Sequence, residues 1–253
     1  MRRTGTADHH TRASVTRVSL TVDFEPDCPP YLSSTFRGVE QGAPALLDLL
    51  DRRGVRATWF TTAEVAERYP AAVAAVVQAG HELGCHGVTH TAFDKLDERA
   101  AQWEIETSTE VLRTFAPVTS FRAPYLRFPE KYVPLLSAAG FTLDSSLAKY
   151  KRAYHRRREH APLTRIPASV TSSVLRLPRA IRDPWLRALA DPVVLFVHPW
   201  EFVDLRRERL RLDCRFRTGT FALNALREVI DLFVQRGAAF LPMRELMTAS
   251  KTA

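Results

Sequence analysis

Asp23 and Glu25 stand two positions apart in LTVDFE. On a strand this spacing turns both side chains to one face, and two carboxylates there repel unless a cation or a proton intervenes. His86 and His90 in HGVTH are separated by three residues, a spacing at which two imidazoles can share a metal. Glycines at 80, 84 and 87 place the pair in a loop or helix start rather than inside a helix. A carboxylate from Asp23 or Glu25 would complete a two-histidine, one-carboxylate site that keeps a position for water. A solvated strand end and a structural or surface histidine pair are the competing readings. Arg122 in FRAPY could fix a carboxylate's orientation or sit in a surface turn. His198 in HPWEF follows five apolar residues; it could be a satisfied core residue or a general acid. Trp200 could wall a pocket or simply pack.

These residues need a scaffold that brings them to one place. Strands are predicted over 18–24, 57–61, 82–85, 120–122, 141–144, 193–197 and 239–241, the strongest being the apolar runs VSLTVDF and VVLFV. Helices are predicted over 43–53, 63–79 with a break at Pro70, 97–115, 129–139 and 221–235; glycines at 54, 80, 140 and 237 follow four of them as stops. The stretch 148–191, rich in Arg and Pro, reads as an extended excursion with a short strand near Ile166. Alternation of strand and helix implies a parallel sheet with outer helices. Asp23, Glu25, His86, His90, Arg122, Asp144 and His198 all fall at C-terminal strand ends, which converge on one face of a parallel barrel, where active sites lie.

The chain of 253 residues suits one barrel domain, expected at 17–248, between a disordered basic tail at 1–16 and a flexible end at 249–253. Its formal net charge is +8, which favours a polyanionic or phosphate-bearing partner without establishing one. KYKRAYHRRREH at 149–160 is either a solvated loop or a segment that steers such a partner, or rests on an anionic membrane. The odd cysteine count, Cys28, Cys85 and Cys214, argues against a disulfide framework and for reduced thiols. The basic N-terminus lacks the apolar stretch of a signal peptide, no apolar run is long enough to span a bilayer, and a cytoplasmic location is expected.

Taken together, LTVDFE, GHELGCHGVTH, FRAPY, LDSS and LFVHP, in that order, resemble the polysaccharide-deacetylase family, carbohydrate esterase family four. The resemblance runs from about Val18 to Leu246. It implies a deformed (β/α) barrel of about seven parallel strands. It also implies one divalent metal, zinc first, with cobalt, iron or nickel as alternatives, held by His86, His90 and a carboxylate. The spacing Asp23-Phe24-Glu25 departs from the adjacent aspartates commonest in the family, so Glu25 is the expected third ligand, with Asp23 or Asp27 as alternatives. By the same resemblance Asp23 would be the base, Arg122 would orient it, and His198 would be the acid, tuned by Asp144. The backbone N–H of Tyr125, beside Pro124, would hold the oxyanion, with Trp200 in the substrate wall. The implied activity is hydrolysis of a carbon–nitrogen amide bond, N-deacetylation of an acetylated sugar or polysaccharide, with a phosphate- or lipid-linked acceptor an open variant. Cyclic imides, ureides or formamides are alternative substrates, and a basic polyanion-binding module is a distant alternative. No nucleic-acid partner is expected, and the oligomeric state is open.

Overall fold

Eight parallel strands in a computed structural model curl into one sheet in the order β6-β5-β4-β3-β2-β1-β7, with β8 added beside β1. The structure describes residues 15–157 and 161–248; the tail expected at 1–16, save its last two residues, and the end at 249–253 lie outside them. The strands are β1 (Arg17–Phe24), β2 (Thr58–Thr61), β3 (Glu82–Cys85), β4 (Ser120–Phe121), β5 (Leu143–Asp144), β6 (Thr164–Arg165), β7 (Val193–Val197) and β8 (Ala239–Phe240). β1 sits centrally, paired with β2, β7 and β8.

The two-residue period of a strand explains why β1 can carry both core and chemistry. Val18, Leu20, Val22 and Phe24 belong to the main apolar cluster, shared with the outer helices. Ser19, Thr21, Asp23 and Glu25 occupy the alternate positions and are also buried. Both faces of β1 are therefore covered, as a parallel barrel strand requires.

The helices fall close to their predicted positions: Ala43–Arg53, Glu98–Arg113 and Thr220–Val234 flank the sheet, and Pro70 divides Ala63–Arg68 from Pro70–Gln78. Proline lacks an N–H and fits the first helical turn, so it starts the second helix rather than continuing the first. The excursion 148–191 is more ordered than its composition suggests. It holds β6 and the helices Ser172–Leu175 and Arg179–Arg187. β6 and β7 are not paired; the seam between them is stapled by Ser169, whose N–H donates to the Val194 carbonyl at 2.8 Å while its hydroxyl accepts from the Val194 N–H at 3.0 Å.

One backbone contact bears directly on the site. A wide helical turn at Gly38–Gly42 lies against the turn Pro199–Phe202 that follows β7. A Cβ at Gly38 would stand 2.5 Å from the Trp200 nitrogen, and one at Gly42 would run into the Pro199 carbonyl. Side chains are excluded there because two backbones touch.

Candidate active site

Asp23, Glu25, His90, Tyr125, His198 and Trp200 line one cavity of about 200 Å³ at the C-terminal edge of the sheet. Oε2 of Glu25 lies 2.6 Å from Nε2 of His90 and 3.2 Å from Nε2 of His86. All three side chains are buried, and their ligand atoms lie within 4.8 Å of one another. Nδ1 of His86 faces the Arg122 carbonyl oxygen at 2.6 Å. That oxygen only accepts, so Nδ1 carries the hydrogen and Nε2 is the nitrogen turned towards Glu25. Two imidazole nitrogens and one carboxylate oxygen suit a small divalent cation. The carbonyl contact also supplies the outer support that metal-binding histidines commonly have. His90 takes a left-handed conformation (φ 55°), its ring meets Tyr125 edge-on at 4.5 Å, and its buried Nδ1 has no hydrogen-bond partner among the described residues.

Burial by itself raises the Glu25 pKa, but the charge of His90, hydrogen bonds with His86 and His90, and the charge of His198 hold it well below the usual carboxylate range. Glu25 Oε1 also accepts from the Trp200 indole N–H at 3.3 Å. Asp27, the alternative ligand, is engaged elsewhere: its carboxylate accepts from the Thr35 hydroxyl (2.7 Å) and the N–H groups of Arg37 (2.9 Å) and Gly38 (2.7 Å). It fastens the turn after β1 and takes no place in the cluster.

Arg122 is fully buried, and its Nη1 donates to Asp23 Oδ1 at 2.6 Å and to the Thr21 hydroxyl at 2.7 Å. Its Nη2 donates to the Ser145 hydroxyl at 3.0 Å, and the guanidinium lies 4.3 Å from the centre of the Phe60 ring. These contacts orient Asp23, whose free Oδ2 faces Nε2 of His198 at 3.8 Å.

The partner of His198 is a correction. Asp144 was expected to tune it, but Asp144 accepts from the Ser146 N–H and from Nε of Arg165, both at 2.8 Å. Nδ1 of His198 instead meets Oε1 of Glu201 at 2.7 Å, and Glu201 is backed by Arg176 at 3.1 Å. The reason is local. His198 caps the tight helical turn Pro199–Phe202, and with three residues per turn the side chains at i and i+3 eclipse. HPWE thus carried a signal that was not used. Burial lowers the His198 pKa, but the Glu201 hydrogen bond and the charges of Glu25, Glu201 and Asp23 outweigh it and raise it to about 9. Trp200 stacks on His198 at 4.7 Å. Tyr125 is left-handed (φ 58°) in the turn that Pro124 begins, and its carbonyl accepts from Lys151 Nζ at 2.5 Å. The side chain of Arg165, within the 148–191 excursion, is buried and paired with Asp144 and Glu130.

The sequence model for polysaccharide deacetylases matches residues 11–143. The chain belongs to the polysaccharide deacetylase family. Among curated deacetylases it is similar to the peptidoglycan deacetylase-like protein of Gibberella zeae, 34% identical over 123 residues, covering 47% of this chain and 36% of that protein. The peptidoglycan deacetylase of Helicobacter pylori is 30% identical over 123 residues, covering 48% of this chain and 42% of that protein. The matched part thus spans about four-tenths of those relatives. The chitooligosaccharide deacetylase of Sinorhizobium fredii matches at 29% over 202 residues, 77% of this chain and 80% of that protein. The fold is that of a family 4 carbohydrate esterase from Streptomyces lividans, with a TM-score of 0.61 at 18% identity over 90% of this chain and 93% of that one. A peptidoglycan N-acetylglucosamine deacetylase superposes equally well, at 20% identity over 91% and 87%. No helix among the described residues is long and apolar enough to cross a membrane.

Proposed function

We propose that the chain is a metal-dependent hydrolase that removes the acetyl group from an N-acetylated sugar, in the class of N-acetylglucosamine-containing glycans. The observation that carries this reading is the placement of two polar pairs in one pocket beside the Glu25, His86 and His90 cluster. Arg122 holds Asp23 in one pair, and Glu201 holds His198 in the other. The membership of the chain in a family whose relatives bear the name deacetylase supports it.

Glu25, His86 and His90 would hold the cation, which when bound would polarise the acyl carbonyl and acidify a water. Asp23 accepts the proton of the attacking water. Its reach is set by Arg122, Thr21 and the rigid strand beneath them. The backbone N–H of Tyr125 is the donor for the oxyanion, and such a donor is worth about 2.7–4 kcal/mol in other hydrolases. Glu201 keeps hydrogen on Nδ1 of His198, so Nε2 faces the pocket and delivers a proton to the departing amine. Acetate and a free amine are the products. Zinc is the first choice of cation for this donor set, with cobalt, iron and nickel compatible.

The test is metal content of the purified protein together with acetate release from N-acetylglucosamine oligomers, with and without chelator. One metal per chain and chelator-sensitive release support the reading. Metal with no acetate release moves the substrate to cyclic imides, ureides or formamides, and no metal under loading conditions removes the reading.

A further inference from the structure

Cys28 and Cys214 are far apart in sequence, yet both line the catalytic cavity. Both belong to the small apolar cluster around Trp200. Cys28 lies three positions past Glu25, is 1% exposed and is held in a left-handed conformation (φ 42°). Cys214 sits in the short helix Leu212–Arg215 and is only partly buried. The nearness of the Cys214 thiol, with burial, raises the pKa of Cys28, and the nearness of Cys28 lowers that of Cys214. Burial and the charge of Asp213 oppose that lowering at Cys214, and the charges of Arg211 and His198 favour it. A partly exposed cysteine beside positive charge, next to a buried second thiol, has the layout of a reacting and resolving pair.

The turn carrying Cys214 is tied to the catalytic histidine. Arg176 donates to the carbonyls of Asp213 at 2.7 Å and Phe216 at 2.6 Å, on either side of Cys214. The same guanidinium lies 3.1 Å from Glu201, which holds His198. A covalent pull on Cys214 therefore acts on the group that positions His198.

We propose that Cys28 and Cys214 form a redox-responsive thiol pair in the wall of the catalytic pocket, closed to a disulfide by a hydroperoxide. The Cys214 thiolate attacks the peroxide: an S–O bond forms, the O–O bond breaks, and the departing oxygen leaves as water after taking a proton. The sulfur of Cys28 then displaces the sulfenic oxygen, an S–S bond forms, the S–O bond breaks, and the Cys28 proton leaves in a second water. Two thiols and one hydrogen peroxide give one disulfide and two waters. A dithiol reductant reverses the step.

The experiment treats the full chain with hydrogen peroxide, alkylates the remaining thiols and maps peptides by mass spectrometry, alongside turnover. The expected result is a Cys28–Cys214 cross-linked peptide, with Cys85 still alkylated only after unfolding, since Cys85 is fully buried and its pKa is pushed up to about 11. Turnover should fall several-fold on oxidation and return with dithiothreitol, and this response should vanish in Cys28→Ser and in Cys214→Ser. Phenylarsine oxide, which bridges adjacent thiols, should block alkylation of both cysteines when the unoxidised protein is unfolded in the presence of the alkylating agent, and should leave the remaining one open to alkylation in either single variant. Independent alkylation of the two thiols under arsenical, or oxidation without the cross-link, overturns the pair. A cross-link with unchanged turnover overturns its effect on catalysis. The cross-link is read without any substrate, so failure of the deacetylase reading would appear separately, as no turnover in the reduced protein.

Discussion

Oε1 of Glu201 stands 2.7 Å from Nδ1 of His198, and the ring's other nitrogen looks into the pocket towards Asp23 and Glu25, 3.8 Å from each. A carboxylate so placed can only accept, so it selects the tautomer with Nε2 free to exchange protons with the pocket.

Glu201→Gln should lower kcat by roughly 10- to 100-fold, at or below the lower end of the about 10²- to 10⁴-fold range of general acid–base catalysis, because the histidine itself remains, with little change in KM. The variant should keep its metal, because Glu201 is outside the ligand cluster. Steady-state kinetics with metal analysis on the same sample checks both parts. Equal activity of Glu201→Gln and the parent would remove the positioning role.

The pH dependence follows from the raised pKa of His198, about 9. A histidine whose folded pKa exceeds its unfolded value stabilises the protein fully below about 6.5, its ordinary pKa, and loses that contribution as pH rises through about 9. Metal-free protein should therefore show a falling melting temperature from neutral pH to about 9, and His198→Gln should flatten that fall. Calorimetry across the range decides, and an unchanged slope in the variant would assign the dependence to another group.

Replacing His86 or His90 with Ala should abolish stoichiometric metal, whereas His198→Ala should retain it and lose turnover. Mass-spectrometric metal analysis after dialysis separates the two classes. Asp27→Asn belongs with neither: it should lower the melting temperature by loosening the turn at Thr35, Arg37 and Gly38, yet keep the metal. Loss of metal in Asp27→Asn would restore Asp27 as a ligand.

Arg122→Met should cost about 3–5 kcal/mol of folding stability, the range for removing one partner of a buried ion pair, because Asp23 would keep its burial and lose its main counter-charge. Chemical denaturation of metal-loaded protein measures it. A cost under about 1 kcal/mol would place the pair in the range of exposed ion pairs.

Much of this was legible in the sequence because long signals carried it. VSLTVDF and VVLFV became β1 and β7, and HGVTH supplied both imidazoles of the cluster. Strands β4, β5, β6 and β8, expected at 120–122, 141–144, near Ile166 and at 239–241, are present too, though each has only two residues, too few for a period to fix its ends. The arginine-rich excursion held partners that composition could not show: the side chains of Arg165, Arg176 and Arg182 are buried in ion pairs with Asp144, Glu201 and Glu228. Part of the positive balance is thus internal scaffolding rather than an invitation to a polyanion. Asp144 was misassigned for the same reason, since its partner Arg165 could be recognised only once β5 and β6 were paired.

The backbone contact between the Gly38–Gly42 turn and Pro199–Trp200 sets the terms for anyone redesigning this pocket. A library aimed at a bulkier acyl group would gain nothing at positions 38 and 42, where even alanine must displace the segment bearing His198. Tyr150, which lines the same pocket and is 43% exposed, is the place to diversify. Evolvability here is uneven: the segment bearing His198 is held by main chain, whereas Tyr150 is an exposed side chain.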